Sequence, residues 1–277
     1  MPRTLTPAQV EAYHRKGYHF PVQVLTQEEA MGLRRCLEQH ERASGGPLQG
    51  KWRVKSHLLF TWSDRIVHHP AILDAVEDLI GPNIFCWTTN FFIKEAASPG
   101  FVSWHQDAAY WGLDPEDVVT AWVALSPSNA VSGCMKVVPG SHFESHLAHV
   151  DTFAENNMLT RGQEIAVEVD ESRTVAMPLE PGEMSLHHIR LVHGSAPNLS
   201  VDRRIGLAIR YMPTHVRQTK LRDSAMLVRG ADEHGHFDLE PRPRRDLGEA
   251  ELRAHAEAVE RKVAVLYEGT GKTELRA

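Results

Sequence analysis

In the stretch SWHQDAAYWG, residues 103–112, His105 and Asp107 stand two positions apart among Trp104, Tyr110 and Trp111. An imidazole nitrogen and a carboxylate oxygen at this spacing can grip one metal ion. They can equally form a polar break at the end of an aromatic strand. Spacing alone does not separate the two readings. A metal grip needs a further ligand, and the segment EMSLHHIRLVHGSAPN offers His187, His188 and His193. Read as one strand, residues 187, 189, 191 and 193 share a face and His188 points the other way. His193 precedes the turn-rich GSAPN, so it stands at a strand end beside a loop.

Two histidines and one carboxylate with open coordination positions are the donor set of non-haem Fe(II) oxygenases. Eleven residues beyond His193, Arg204 opens the strand RIGLAIRY. Its planar guanidinium can pair both oxygens of a carboxylate. It is suited to hold the far end of a keto acid whose other end chelates the metal. Arg203 is adjacent to it, and Arg210, an even number of residues away, shares its strand face.

These residues need a frame. The first 45 residues predict two helices around one extended break. TPAQVEAYHRKG has Thr6 as N-cap, Pro7 at the first helical position and Gly17 as stop. YHFPVQVL is β-prone. TQEEAMGLRRCLEQHERASGG carries a capping box, Thr26 with Glu29, and ends at Gly45 and Gly46. A shorter helix fits Pro70 to Gly81. Then NIFCWTTNFFIKEA, VVTAWVALSPS, GCMKVVPGSH, EIAVEVDE, TVAMPLEPGEMSLHH and RRIGLAIRYMP read as short strands between turn residues. Such a run predicts a sandwich or barrel. Residues 143–164 form a long polar connection of the kind that serves as a lid. The tail is charged and then helical over GEAELRAHAEAVERKVAVLYEG. The GTGKT string near the end is not a phosphate-binding loop, because Leu266 stands where that pattern requires glycine.

The chain has 277 residues, with 30 Lys plus Arg against 36 Asp plus Glu, so its formal charge is −6. That balance lacks the basic footprint of a nucleic-acid binder. Three scattered cysteines without a CxxC fit reduced thiols. The absence of an apolar leader or a long apolar run gives the expectation of a soluble, cytoplasmic protein without membrane partners.

The strings WHQD, PGSH and VHGSAPN with its downstream Arg204 resemble the phytanoyl-CoA dioxygenase (PhyH-like) family of Fe(II)/2-oxoglutarate-dependent oxygenases. The resemblance runs from HLLFTWSDRIVHHPAILDAVEDLIGPN to RRIGLAIRYMP. It implies a mainly β fold with flanking helices around a double-stranded β-helix (jelly-roll, cupin-like) core. One domain over 1–277 is expected, with a helical segment 1–82, a core of about 83–215 and a helical tail 216–277. His105, Asp107 and His193 would be the iron ligands and Arg204 the 2-oxoglutarate anchor. With O2, the reaction implied is hydroxylation of a C–H bond of a small-molecule substrate, with 2-oxoglutarate going to succinate and CO2. Family members that halogenate replace the aspartate by a small residue; Asp107 keeps this chain with the hydroxylases. RGQEIAVEVDE and SAMLVRG resemble a bacterial branch that includes aminoethylphosphonate-type hydroxylases. A small polar substrate, such as an organophosphonate or amino-acid derivative, therefore ranks ahead of an acyl-CoA or a natural product. A non-catalytic metal-binding jelly roll and a zinc hydrolase are the competing readings.

The candidate substrate contacts are Asn90, Lys94, Tyr110, Lys55 and His187. Asn90, Phe92 and Lys94 share a strand face, and His187 is read either as a hydrogen-bonded barrel histidine or as a contact. KWRVKSH, if extended, puts Lys51, Arg53, Lys55 and His57 on one face. That face is either a charged edge strand or a patch for an anionic group. His142 reads as a turn residue, and His146 and His149 as loop surface.

Overall fold

The computed structural model describes residues 4–268 and Leu275. The GTGKT string, residues 269–273, lies outside them. Helix α1 (Pro7–Lys16) starts on a capping box between Thr6 and Gln9 and ends at Gly17 with φ 84°. Strand β1 (Tyr18–Gln23) follows. The same device, Thr26 with Glu29, starts α2 (Gln27–Ser44), which stops at Gly45. These satisfy the backbone groups that a helix end otherwise leaves unpaired. Helix α3 (Thr61–Val67) is too short to show a period in the sequence and has no side-chain cap. Helix α4 (Pro70–Ile80) ends at Gly81 as expected.

The strands then come in close succession. They are β2 (Ile84–Lys94), β3 (Val102–His105), β4 (Leu113–Asp114), β5 (Val119–Ala124), β6 (Met135–Val137), β7 (His149–Asp151), β8 (Gln163–Ile165) and β9 (Val175–Met177). After them come β10 (Glu183–His188), β11 (His193–Ser195), β12 (Arg204–Pro213), β13 (Arg217–Gln218), β14 (Ser224–Arg229) and β15 (Asp238–Leu239). A helical turn, α5 (Ala108–Trp111), separates β3 from β4, and α6 (Glu249–Leu266) comes last. A seven-stranded sheet has the order β1-β10-β5-β12-β2-β14-β15, and a four-stranded sheet the order β3-β11-β6-β9. The two sheets form the jelly-roll core.

Side-chain alternation assigns each face of the large sheet. Ile205, Leu207 and Ile209 of β12, Ala121 and Val123 of β5, and Met184 and Leu186 of β10 join one apolar cluster with Leu37, Leu59, Ile66 and Ile72 of the helical layer. The intervening residues Arg204, Ala208 and Arg210, Thr120 and Trp122, and His187 face the smaller sheet across a cavity. A strand with a two-residue period does this automatically. Among the described residues, no helix is long and apolar enough to cross a membrane.

Several expectations are corrected. Residues 187–193 are not one strand: β10 ends at His188, and a turn with Leu191 N–H donating to the His188 carbonyl leads to β11. EIAVEVDE continues β8 only to Ile165. Beyond it no surface covers the chain, and Val167 is exposed. The long polar connection contains the β7–β8 hairpin. The tail is not wholly helical, since β14 pairs with β2 in the large sheet.

KWRVKSH is not an extended basic face. It folds as two 3-10 turns, Gly50–Arg53 and Ser56–Leu58, joined through Lys55 at φ 49°. That positive φ destroys the alternation a common face requires. Lys55 is wholly buried, its Nζ donating to the carbonyls of Trp87 (2.7 Å) and Ser224 (3.1 Å) and to Glu240. Glu240 also meets His57 Nε2 at 3.2 Å and accepts from Ser224 Oγ at 2.7 Å. Burial opposes the charge of Glu240, yet Lys55 and His57 hold its carboxyl down to about 2. A buried pair of this kind costs about 3–5 kcal/mol when one partner is removed. Lys55→Ala should therefore lower unfolding stability by that amount in urea titration. A loss below about 1 kcal/mol would show that the pair is replaceable.

Candidate active site

The small sheet positions the donors. In the β3–β11 ladder His193 lies directly opposite His105, and their ring centroids are 4.1 Å apart. Asp107 follows at the start of α5, with Oδ1 3.3 Å from His105 Nε2. One ligand atom from each of the three lies within 4.8 Å of the others, and all three residues are buried. Each histidine is oriented by the backbone two residues before it. His105 Nδ1–H donates to the Ser103 carbonyl and His193 Nδ1–H to the Leu191 carbonyl, both at 2.9 Å. These bonds fix the tautomer and leave Nε2 as the lone-pair atom on each ring. Burial and the neighbouring His105 push His193 down to about 4, so it is neutral at physiological pH. Burial opposes the charge of Asp107, but His105 and Arg210 hold its carboxyl well below the usual range, and Oδ2 has no hydrogen bond. Two imidazoles aimed at one point, one carboxylate and an orphaned buried oxygen fit a divalent metal.

Gln106 locks the turn between the two donors. Its amide N–H donates to His149 Nε2 (3.0 Å), its side-chain Nε2 to the Arg190 carbonyl (2.9 Å), and its Oε1 accepts from Leu147 N–H (2.9 Å). His149 is therefore not loop surface; its Nδ1–H is anchored on the Leu147 carbonyl, as in the two donors. Gln106 carried no sequence signal beyond its place inside the motif, and His149 carried none. His142 is the hydrogen-bonded turn residue expected, donating to the His14 carbonyl, and His146 pairs with Glu116 at the surface.

The opposite wall is the inner face of the large sheet. The cavity between the walls has about 380 Å³ of empty space and is lined by His105, His187, His193, Trp122, Arg204 and Arg210, among others. Arg204 is 3% exposed. It donates to the Gly133 carbonyl at 2.6 Å and lies 5.2 Å from the Trp122 ring centroid, while its Nε is unpartnered. Burial pushes it down to about 10, which leaves it charged. Among the described residues no carboxylate meets it. Arg203 turns outward to Glu41 and Glu95.

The other candidates scatter. Lys94 faces Arg204 across the β12–β2 ladder and donates to Ser195 Oγ (2.7 Å) and the Ala196 carbonyl. Burial and Arg204 push it down to about 6. His187 packs on His193 with ring centroids 4.8 Å apart, and burial keeps it neutral. Asn90 lines a second cavity beside Asp107. Tyr110 donates to Asp151 at 3.0 Å and lies under Arg161 at the β7–β8 hairpin. Lys55 points away into its ion pair with Glu240.

A jelly roll that converges two histidines and one aspartate between its sheets has the architecture of the non-haem iron, 2-oxoglutarate-dependent oxygenases. The family model for phytanoyl-CoA dioxygenase (PhyH) matches residues 2–206, and the chain belongs to that family. It is 30% identical over 177 residues to a probable alpha-ketoglutarate-dependent hypophosphite dioxygenase of Stutzerimonas stutzeri, covering 62% of this chain and 61% of that protein. The chain thus spans about three fifths of that relative. Among solved structures, the apo form of the non-haem monooxygenase ThoJ superposes with a TM-score of 0.84 at 39% identity, over 94% of this chain and 98% of that one. A ThoJ–nickel complex superposes at 0.76 and 36% identity, over 92% and 96%.

Gly206 is what lets Trp122 lie beside Arg204. A Cβ at Gly206 would stand 1.9 Å from Trp122 Cζ2. Gly206→Ala should cost about 1–3 kcal/mol by overpacking. In a Trp122→Leu background, urea unfolding should show the cost largely gone. An unchanged cost would locate the strain elsewhere.

Proposed function

We propose that the protein is an Fe(II)- and 2-oxoglutarate-dependent dioxygenase that hydroxylates a C–H bond of a small molecule. One observation carries this reading. A converging His-Asp-His donor set and a buried arginine unmatched by any described carboxylate face each other across one cavity. A metal-binding module has no use for the second element, nor has a zinc hydrolase.

His105, Asp107 and His193 would hold iron(II), which with 2-oxoglutarate and O2 supplies the oxidation of the C–H bond, succinate and CO2 being the co-products. The residues of the chain do the rest. Ser103 and Leu191 keep both imidazoles aimed inward through their carbonyls. Arg204 pairs the far carboxylate of the cosubstrate, with Trp122 covering the guanidinium and excluding water. Depressed as it is, Lys94 leaves Arg204 as the cation of that end at neutral pH, and its donations to Ser195 and Ala196 fasten the end of β11 to the large sheet. The finer reading is a small polar substrate, and the similarity to a hypophosphite dioxygenase supports it over an acyl-CoA or a natural product.

Anaerobic addition of iron(II) and 2-oxoglutarate to metal-free protein should develop the weak visible metal-to-ligand charge-transfer band, and His193→Ala should abolish it. Arg204→Met should raise the 2-oxoglutarate concentration for half-development by about 100-fold or more, since each charge-assisted hydrogen bond lost contributes about 1.5–3 kcal/mol. Iron binding without a band would replace this reading with that of a metal-binding jelly roll.

A further inference from the structure

Asp107 stands between two cavities. The histidine donors and Arg204 line the first, whereas Asp107 itself lines the second, which has about 520 Å³ of empty space. Only Phe92 and Arg210 contribute to both. The second cavity is walled by Asn90, Trp111, Met158, Arg210 and Lys262, so β2, β12, the stretch before β8 and helix α6 all contribute.

Its two basic side chains have no adequate partners, and burial pushes Lys262 down to about 7, so without an anion beside it the amine is only partly charged at neutral pH. Arg210 and Lys262 are each 6% exposed. The Arg210 guanidinium lies 5.3 Å from the Trp111 centroid and 5.7 Å from that of Phe92. Its contact with Asp107 is long, 3.9 Å, its one hydrogen bond to the Ala208 carbonyl is 3.5 Å, and its Nε has none. Lys262 Nζ lies 3.8 Å over the Trp87 ring and 5.7 Å from that of Trp111. Among the described residues no hydrogen bond or ion pair to a carboxylate meets it. The nearby acid Asp223 is already taken up by Trp87 Nε1 (2.7 Å) and Ser224 N–H (2.8 Å). Among the described residues Asp107 is the single carboxylate lining this cavity, and the metal reading commits it elsewhere. Ring faces soften the burial of a cation but do not replace an anion. Both residues lie beyond residue 206, where the family match ends.

We infer that the second cavity seats the substrate and that the substrate is a small anion. Arg210 and Lys262 grip its carboxylate, phosphonate or phosphate group, and its apolar part lies against Trp111, Phe92 and Met158. Calling this ligand the substrate rests on the oxygenase reading; the anion preference of the cavity does not.

The test uses three matched probes, phenylacetate, benzylphosphonate and the neutral phenylacetamide. Their dissociation constants are measured by calorimetry on protein loaded with nickel(II) and 2-oxoglutarate, so that Arg204 is occupied and no turnover occurs. At least one anion should bind tenfold or more tighter than the amide, and which one does so separates carboxylate from phosph(on)ate recognition. Lys262→Met and Arg210→Met should each erase that preference. Lys262→Met, which removes a buried amine that no described carboxylate meets, should unfold at or above the wild-type midpoint, which guards against a misfolded variant. Equal binding of all three probes, or an anion preference that survives both substitutions, overturns the inference. If 2-oxoglutarate fails to bind, the oxygenase reading falls, and the same titrations on metal-free Arg204→Met protein still decide the anion site.

Discussion

Strand β12 is buried over all ten residues and on both faces, and the active site is organised around that constraint. Its outward face must be apolar to receive the helical layer, and Ile205, Leu207 and Ile209 meet that demand. Its inward face carries two guanidiniums, Arg204 and Arg210, separated by Gly206 and Ala208. Burying a cation is unfavourable unless an opposite charge accompanies it. Among the described residues one poorly placed carboxylate, Asp107, meets Arg210 and none meets Arg204. In the proposed reading the interior receives its anions from outside, and the small residues between the arginines keep the space for them.

The donors come from the other sheet. Strands β3 and β11 are short, but their pairing puts His193 opposite His105 without help from β12. In the proposed reading the metal grip thus lies on one wall and the carboxylate clamp on the other. Facing sheets stand about 10 Å apart, a separation that a short dicarboxylate can bridge. The sandwich fixes what length of cosubstrate fits before any specific contact is considered.

Much of this was legible in the sequence because it is local or periodic. The N-cap Thr6 with Pro7 behind it and the capping box at Thr26 declare helix starts within four residues. The alternation in RIGLAIRY separates arginines from isoleucines, and His-x-Asp with a later His and Arg is a short pattern. What stayed hidden depends on contacts between distant segments. Lys55 reads as a surface charge until Glu240, far along the chain, draws it inside. Lys262 sits in a charged helical tail, and nothing in VERKVAVL distinguishes it from Lys or Arg facing water. Gln106 and His149 interlock across 43 positions. The strand expected through EIAVEVDE failed for the converse reason: alternation was present, but no partner surface covered it.

The i-to-i−2 bonds that orient His105 and His193 have a wider consequence. Each imidazole is braced by the backbone carbonyl two residues before it, and neither Ser103 nor Leu191 lines the second cavity. Those walls come from separate stretches: the segment before β8, the end of β12 and helix α6. The donor set and these walls meet at Asp107, which lines the second cavity and lies 3.9 Å from Arg210. Changes in helix α6 or before β8 leave both imidazole braces untouched, so the same histidine pair can be fitted with new jaws.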